Sequence, residues 1–194
     1  MNYTTLFNTI KAYVESDFPA TSFTGTDNTS TATVTSSQQI NTFIEQAELR
    51  IYNTIQFPSL RKNVTGTTYA NNKYLSCPND FLSVYSLAVI DSSGNYSYLL
   101  NKDVSFIRES FPNATTTAQP QYYAIFGPTT TDALSPVITN ELSFILGPTP
   151  DSAYSVELHY YYYPESIVTA SSGQTWLGDN YDAALLYGAL VEAC

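Results

Sequence analysis

YSVELHYYYYP, residues 154–164, is built as a strand yet has no solvent face. Side chains of a strand alternate between two faces, so Tyr160 and Tyr162 point one way and Tyr161 and Tyr163 the other. Both faces are aromatic. A strand over a single core alternates apolar with polar residues. Here one face packs a core and the other meets a second layer or a neighbouring subunit. The residues argue for assembly more than for chemistry.

Around this segment the period is two. From about residue 68 the β-branched and aromatic content rises, and strands are expected near 73–77, 82–90, 96–101, 121–127, 142–147 and 154–163. Asp91-Ser92-Ser93-Gly94 supplies turn chemistry between two of them. Asp103 caps a short helix carrying Val104, Phe106 and Ile107, which Pro112 ends.

Toward both ends the period becomes helical. Leu6, Phe7, Ile10, Tyr13 and Val14 share one face of a first helix that Phe18-Pro19 stops. Residues 20–37, dominated by Thr and Ser with almost no large apolar side chains, read as a mobile loop or an exposed hairpin. Ser36 with Gln39 forms a capping box for a second helix striped by Ile40, Phe43, Ile44, Ala47, Ile51 and Ile55. Glu45, Glu48 and Arg50 lie off that stripe, toward water, and Pro58 ends the run. After Pro164 a loop leads to Gln174-Thr175-Trp176-Leu177. Asp179 or Asn180 then caps a last helix with Tyr181, Ala184, Leu185, Gly188 and Val191 on its apolar face. Its small residues Ala183, Ala184, Gly188 and Ala189 permit close contact with the first two helices.

The expected fold class is therefore α+β: a helical bundle built from N-terminal and C-terminal helices with an inserted antiparallel β-rich lobe. The expected division is 1–65 for the N-terminal helical part with its Thr/Ser-rich loop 20–37, 66–174 for the β-rich lobe, and 175–194 for the C-terminal helix that rejoins the helical part.

Composition narrows the function. Of 194 residues 43% are hydrophobic and 14% aromatic, which excludes a disordered chain. Charged residues are only 12%, about half of the ~25% usual in soluble domains. An uncharged Thr, Ser, Asn and Tyr surface suits a protein covered by partners. Seven basic against 17 acidic residues give a net charge of −10, with no basic cluster beyond Arg61-Lys62, so the footprint needed to grip a phosphate backbone is missing. A negative surface is what solubility alone asks for, and it still suits a conduit that nucleic acid crosses without sticking. Two cysteines, Cys77 and Cys194, are too few for a disulfide framework and fit a reduced cytosolic birthplace. The N-terminus lacks a signal peptide's basic and apolar regions, and no run approaches ~18 apolar residues, so no membrane partner is expected. The last helix shows no stop signal at Cys194, so the natural chain is expected to run further. Sequons such as Asn63-Val-Thr and Asn113-Ala-Thr arise by chance in a chain so rich in Asn and Thr.

Chemistry is hard to find. His159, the only histidine, shares a strand face with Glu157, an arrangement that can orient an acid–base pair; it reads more readily as a polar strand residue hydrogen-bonded beside tyrosines. Asp80, Asp91, Asp103, Asp151 and Asp179 each fall where a turn or cap wants an Asp, and none follows the spacing of a calcium loop. Cys77, before Pro78 and without a nearby base, reads as a small buried hydrophobe. Trp176 is an interface anchor or a core plug. The Tyr-rich strands could also stack on sugar rings. No catalytic, cofactor-binding or metal residue is assigned.

The order of segments resembles the head-to-tail adaptor, or connector, proteins of short-tailed and related tailed bacteriophages. The resemblance runs through QAELRIYNTIQFPSLR (46–61), SCPNDFLSVYSLAV (76–89), YLLNKDVSFIRESFP (98–112), PQYYAIFG (120–127), ELSFILGPTP with YSVELHYYYYP (141–164) and TWLGDNYDAALLYGALVEA (175–193). It implies a non-enzymatic virion protein, made in the host cytoplasm, that forms a homo-oligomeric ring of about twelve copies in the neck. Its implied partners are further copies of itself, the portal protein, and the tail tube or nozzle protein. Genomic DNA would pass through the lumen without specific binding. Against this pattern the stretch 20–36 looks like a variable insertion, expected to order on docking to a neighbour or to the portal. A carbohydrate- or receptor-binding virion module is the alternative.

Overall fold

The computed structural model describes residues 1–24, 31–113, 115–127, 129–130, 138–140 and 142–194. Among them the chain is mixed α+β. In order come helix α1 (Tyr3–Val14), strands β1 (Thr21–Thr24) and β2 (Thr31–Val34), helix α2 (Ser36–Thr54), and strands β3 (Arg61–Thr67), β4 (Tyr74–Ser76), β5 (Phe81–Ile90), β6 (Tyr96–Tyr98) and β7 (Leu100–Asn101). Then follow helix α3 (Val104–Ser110), strands β8 (Tyr122–Phe126), β9 (Thr129–Thr130), β10 (Ile138–Asn140), β11 (Ser143–Gly147) and β12 (Ser155–Tyr162), and helices α4 (Trp176–Asn180) and α5 (Asp182–Ala193). They divide into two compact units, Met1–Phe57 with Pro164–Cys194, and Pro58–Tyr163.

In the first unit α5 packs against α2 and α1. Gly188 makes the closest approach possible: a Cβ there would sit 3.2 Å from the Ala47 Cβ. Leu6, Ile10, Ile40, Ile44, Ala47, Leu177, Leu185 and Ala189 are buried. Three expectations shift. The capping box is Thr35 with Gln38, one residue earlier than Ser36 with Gln39: the Gln38 amide donates to Thr35 Oγ1 (3.3 Å) and the Thr35 amide to Gln38 Oε1 (2.8 Å). Asp179 and Asn180 lie inside α4, which Thr175 caps, and α5 starts with no side-chain cap. The buried stripe of α5 is Leu185, Leu186 and Ala189, while Tyr181 and Val191 are exposed. The extra turn of α4 rotates the last helix away from the register that a single continuous helix would have. Tyr13 on α1 and Ile55, just past α2, are exposed as well.

Glu48 is the larger surprise. It was expected to face water, yet it is buried and accepts a hydrogen bond from the Ile167 amide (3.0 Å). Its neighbours Glu45 and Arg50 are exposed as expected. Within residues 20–37, β1 and β2 pair as an antiparallel hairpin with Thr21 opposite Val34; residues 25–30 lie outside those described.

The second unit stacks two four-stranded sheets, ordered β3-β12-β5-β6 and β4-β11-β8-β7. All pairings in them are antiparallel except β7 with β8. Leu87, Val89, Val156, Leu158 and Tyr160 from one sheet meet Tyr123, Phe144 and Leu146 from the other in a continuous core. Strand β11 is buried along its whole length because α3 covers its other side, where Ile107 packs on Ala124 and Ile145. Asp103 caps α3 through the Ser105 amide (2.7 Å). The stretch 96–101 is two short strands, not one. Leu99 between them is buried and its amide bonds to Leu87 O, so the chain changes sheets there. Strand β3 was not foreseen: RKNVTGT carries no apolar alternation because all seven residues are exposed.

The tyrosine strand is covered by its own chain. Tyr160 (4% exposed) stacks on Phe81, and Tyr161 (9% exposed), on the opposite face, meets Tyr85 edge-on. The second aromatic face therefore finds a partner without a neighbouring subunit, because β5 bulges opposite His159 and Tyr160 and brings Tyr85 alongside. Among the described residues no helix is long and apolar enough to cross a membrane.

Candidate functional site

The outward face of the β3-β12-β5 sheet gathers most of the polar chemistry of the second unit. Cross-strand register sets Asn63 and Ser86 on either side of His159, and Thr65 and Ala88 on either side of Glu157. His159 Nε2 lies 3.7 Å from Glu157 Oε1, and its Nδ1 lies 3.2 Å from Ser86 Oγ. Asn63 Nδ2 donates to Glu157 at 2.6 Å. The His–Glu pair read from the sequence is thus brought together, with a serine beside it. The order serine, imidazole, carboxylate can orient a ring, but the face is open and the backbone of β12 is paired with β3 on one side and β5 on the other, leaving no oxyanion donors on that strand. The arrangement holds side chains in place on a surface.

Beside it, the Arg61 guanidinium lies 4.0 Å from the centre of the Tyr85 ring and 5.2 Å from that of Tyr161. The two rings meet edge-on, and the guanidinium makes a cation–π contact with each. At the rim, Lys62 Nζ reaches Asp80 Oδ2 (2.6 Å) and the Tyr160 hydroxyl donates to Asp80 Oδ1 (2.9 Å). Burial alone would raise the Asp80 carboxyl, but the bonds from Lys62 and Tyr160 and the nearby ammonium outweigh it and hold it below the usual range. Burial and the same carboxylate push the Tyr160 phenol up to about 12.

On the inner face, at the mouth of the sandwich, Val64 and Gly66 of β3 face Leu75 of β4 across an apolar cavity of about 260 Å³ floored by Phe144, Val156 and Leu158. Cys77 lines it too, and burial pushes its thiol up to about 12, the behaviour of a buried hydrophobe and not of a nucleophile.

The remaining candidates serve structure. The Asp91 carboxylate takes the Ser93 and Asn95 amides in a turn, and Asp151 accepts from the Tyr154 hydroxyl. Asp179 lies 3.9 Å from the N-terminal ammonium, whose hydrogen bond goes to the Gly178 carbonyl. Trp176 packs on Phe57 and Tyr181 within the helical unit. Among the described residues no three His, Cys, Asp or Glu side chains converge as a metal site. What sequence reasoning missed is the contribution of β3, which supplies Arg61, Lys62 and Asn63; its Thr and Val content was the only local signal.

Compared with known families, the chain matches over residues 1–194 a family model described as SU10 adaptor protein. No curated protein matches it.

Proposed function

The chain belongs to the SU10 adaptor protein family, and from that premise we propose that it works as a head-to-tail adaptor ring linking the portal to the tail and forming part of the DNA conduit. Membership makes it a phage structural adaptor, a component of the virion, with a role other than catalysis. The observation that carries the reading is that the family match spans every residue of the chain. In this reading the helices from both ends of the chain form one bundle that carries the β-rich segment as an inserted lobe. About twelve copies close a heterologous interface into a ring in the virion neck, between portal and tail tube or nozzle. The surface supports it: large side chains such as Tyr13, Leu49, Tyr98, Leu100, Tyr187 and Val191 are at least half exposed, and few charges separate them. The net charge of −10 per copy opposes adhesion of DNA crossing the lumen.

The test is particle symmetry. Purified full-length chain, alone and mixed with portal oligomers, should give electron-microscope class averages with closed rotational symmetry. A chain that stays monomeric in both conditions overturns the reading. One observation favours the alternative of a glycan-binding virion module: Tyr96 and Tyr98 stack at 6.4 Å, both exposed, beside a cavity of about 290 Å³ that includes Gln119 and Gln121. Saturable binding on a glycan array, lost in Tyr98→Ala, would support that reading instead.

A further inference from the structure

We infer that the β1–β2 hairpin of one copy adds to the β3 edge of the next, closing the apolar mouth of its sandwich; this rests on the ring reading above. The acceptor is built for strand addition. Among the described residues β3 pairs only with β12, so one side of its seven-residue backbone offers free donors and acceptors. Unpaired edges recruit other chains unless they are short, bulged, interrupted by proline or guarded by charge. RKNVTGT is seven residues long, pairs with β12 in unbroken register and has no proline, and its two charges, Arg61 and Lys62, stand at one end and leave residues 63–67 uncharged. Its inward residues Val64 and Gly66 border the 260 Å³ cavity, and Val64 is 39% exposed over a floor of Phe144, Val156 and Leu158. A strand laid beside β3 would set alternate side chains over that opening.

The donor is equally specific. Strands β1 and β2 have four residues each and, among the described residues, form a sheet only with one another. An isolated two-stranded hairpin is at best marginal in water, so a third strand is what it lacks. Charge selects this pairing. Copies that each carry −10 repel one another and must meet through neutral or basic surface. Residues 15–37 contain three acids and no base, one of them, Asp17, already paired with Lys11. Residues 61–67 contain two bases and no acid, and Lys62 is held by Asp80 of its own chain, which leaves Arg61 as the cation of that edge. Arg61 forms no ion pair among the described residues and rests over Tyr85. The match also runs head to tail, as ring closure requires, since donor and acceptor are different surfaces.

Disulfide trapping tests it on the full chain in a Cys194→Ser background. Thr33→Cys in one preparation is mixed with a second carrying Cys at Asn63, Val64 or Thr65 in turn, so that the register need not be known. Paired strands bring Cα atoms within the span of a disulfide. A mixed disulfide that forms only when both preparations are present is the expected result. Val64→Lys, at an already exposed position, should weaken self-association by about tenfold while leaving the circular dichroism unchanged. Rings that form without a mixed disulfide at any of the three positions, and that tolerate Val64→Lys, would overturn the inference and leave the ring standing. A wild-type chain that never assembles, alone or with portal, removes the ring reading and this inference with it.

Discussion

Replacing Glu48 by alanine should destabilise the helical unit by about 2–3 kcal/mol. The carboxylate is buried on α2, and its Oε1 accepts the Ile167 amide at 3.0 Å; Ser166 adds a side-chain bond. Ile167 is itself fully buried, so its amide has no route to water once the acceptor is gone. A buried donor left unsatisfied costs about 1–3 kcal/mol, and the vacated volume adds about 1 kcal/mol more. Release of a buried charge offsets part of this sum. The melting temperature should fall by roughly 4–12 °C in a chain of this size. Glu48→Gln keeps the acceptor and separates the bond from the charge. Burial raises the Glu48 carboxyl above its ordinary value of 4.5, against the lowering effect of the bonds from Ser166 and Ile167. The folded state therefore binds the proton more tightly than the unfolded state. The burial penalty on the charged form is absent below pH 4.5 and grows as pH rises through the folded value. Wild type should consequently gain stability relative to Glu48→Gln as pH is lowered toward 4.5. Thermal melts of the three proteins followed at 222 nm across that range provide the assay. An alanine variant within about 0.5 kcal/mol of wild type, or a wild-type–glutamine difference independent of pH, would refute the assignment of a buried, bonded carboxylate.

Native protein should react with Ellman's reagent at Cys194 alone, with Cys77 modified only on unfolding, because burial pushes that thiol up to about 12; two fast thiols would contradict the packing. Gly147→Ala should cost about 1–3 kcal/mol by denaturant titration, since the new Cβ would stand 3.0 Å from Ile107 Cγ2 and from the Phe111 ring. Asp80 is held below its ordinary 3.8, so its contribution is complete above that pH and disappears as pH falls through the folded value. Asp80→Asn should accordingly flatten the acid limb of the stability curve and leave its slope near neutrality unchanged; an unaltered acid limb would count against the Lys62–Asp80–Tyr160 network.

Much of the second unit was legible because its strands carry their burial in their spelling. FLSVYSLAV, YYAIF and SFILG are too rich in branched and aromatic residues to be anything but strands, and Asp103 with Pro112 brackets α3 unambiguously. Strand β3 was illegible for the opposite reason: an edge strand whose side chains all meet solvent needs no pattern, only a neighbour. The Ser86–His159–Glu157 grouping was half legible. His159 and Glu157 are two apart on one strand, whereas Ser86 joins them through a register that a bulge in β5 fixes.

By itself the sequence determined where the period is two and where it is near four, hence the α+β class, the two helices that begin the chain and the one that closes it. It also determined the acidic, charge-poor surface, since composition is indifferent to folding. Only tertiary structure decided which faces are covered. Glu48 is buried because a loop more than a hundred residues away offers an amide to it. Tyr161 is shielded because a bulge in β5 brings Tyr85 alongside and the β3 register sets Arg61 opposite it. Such partners are distant in sequence, and local periodicity reports only that a face exists, never what arrives to cover it.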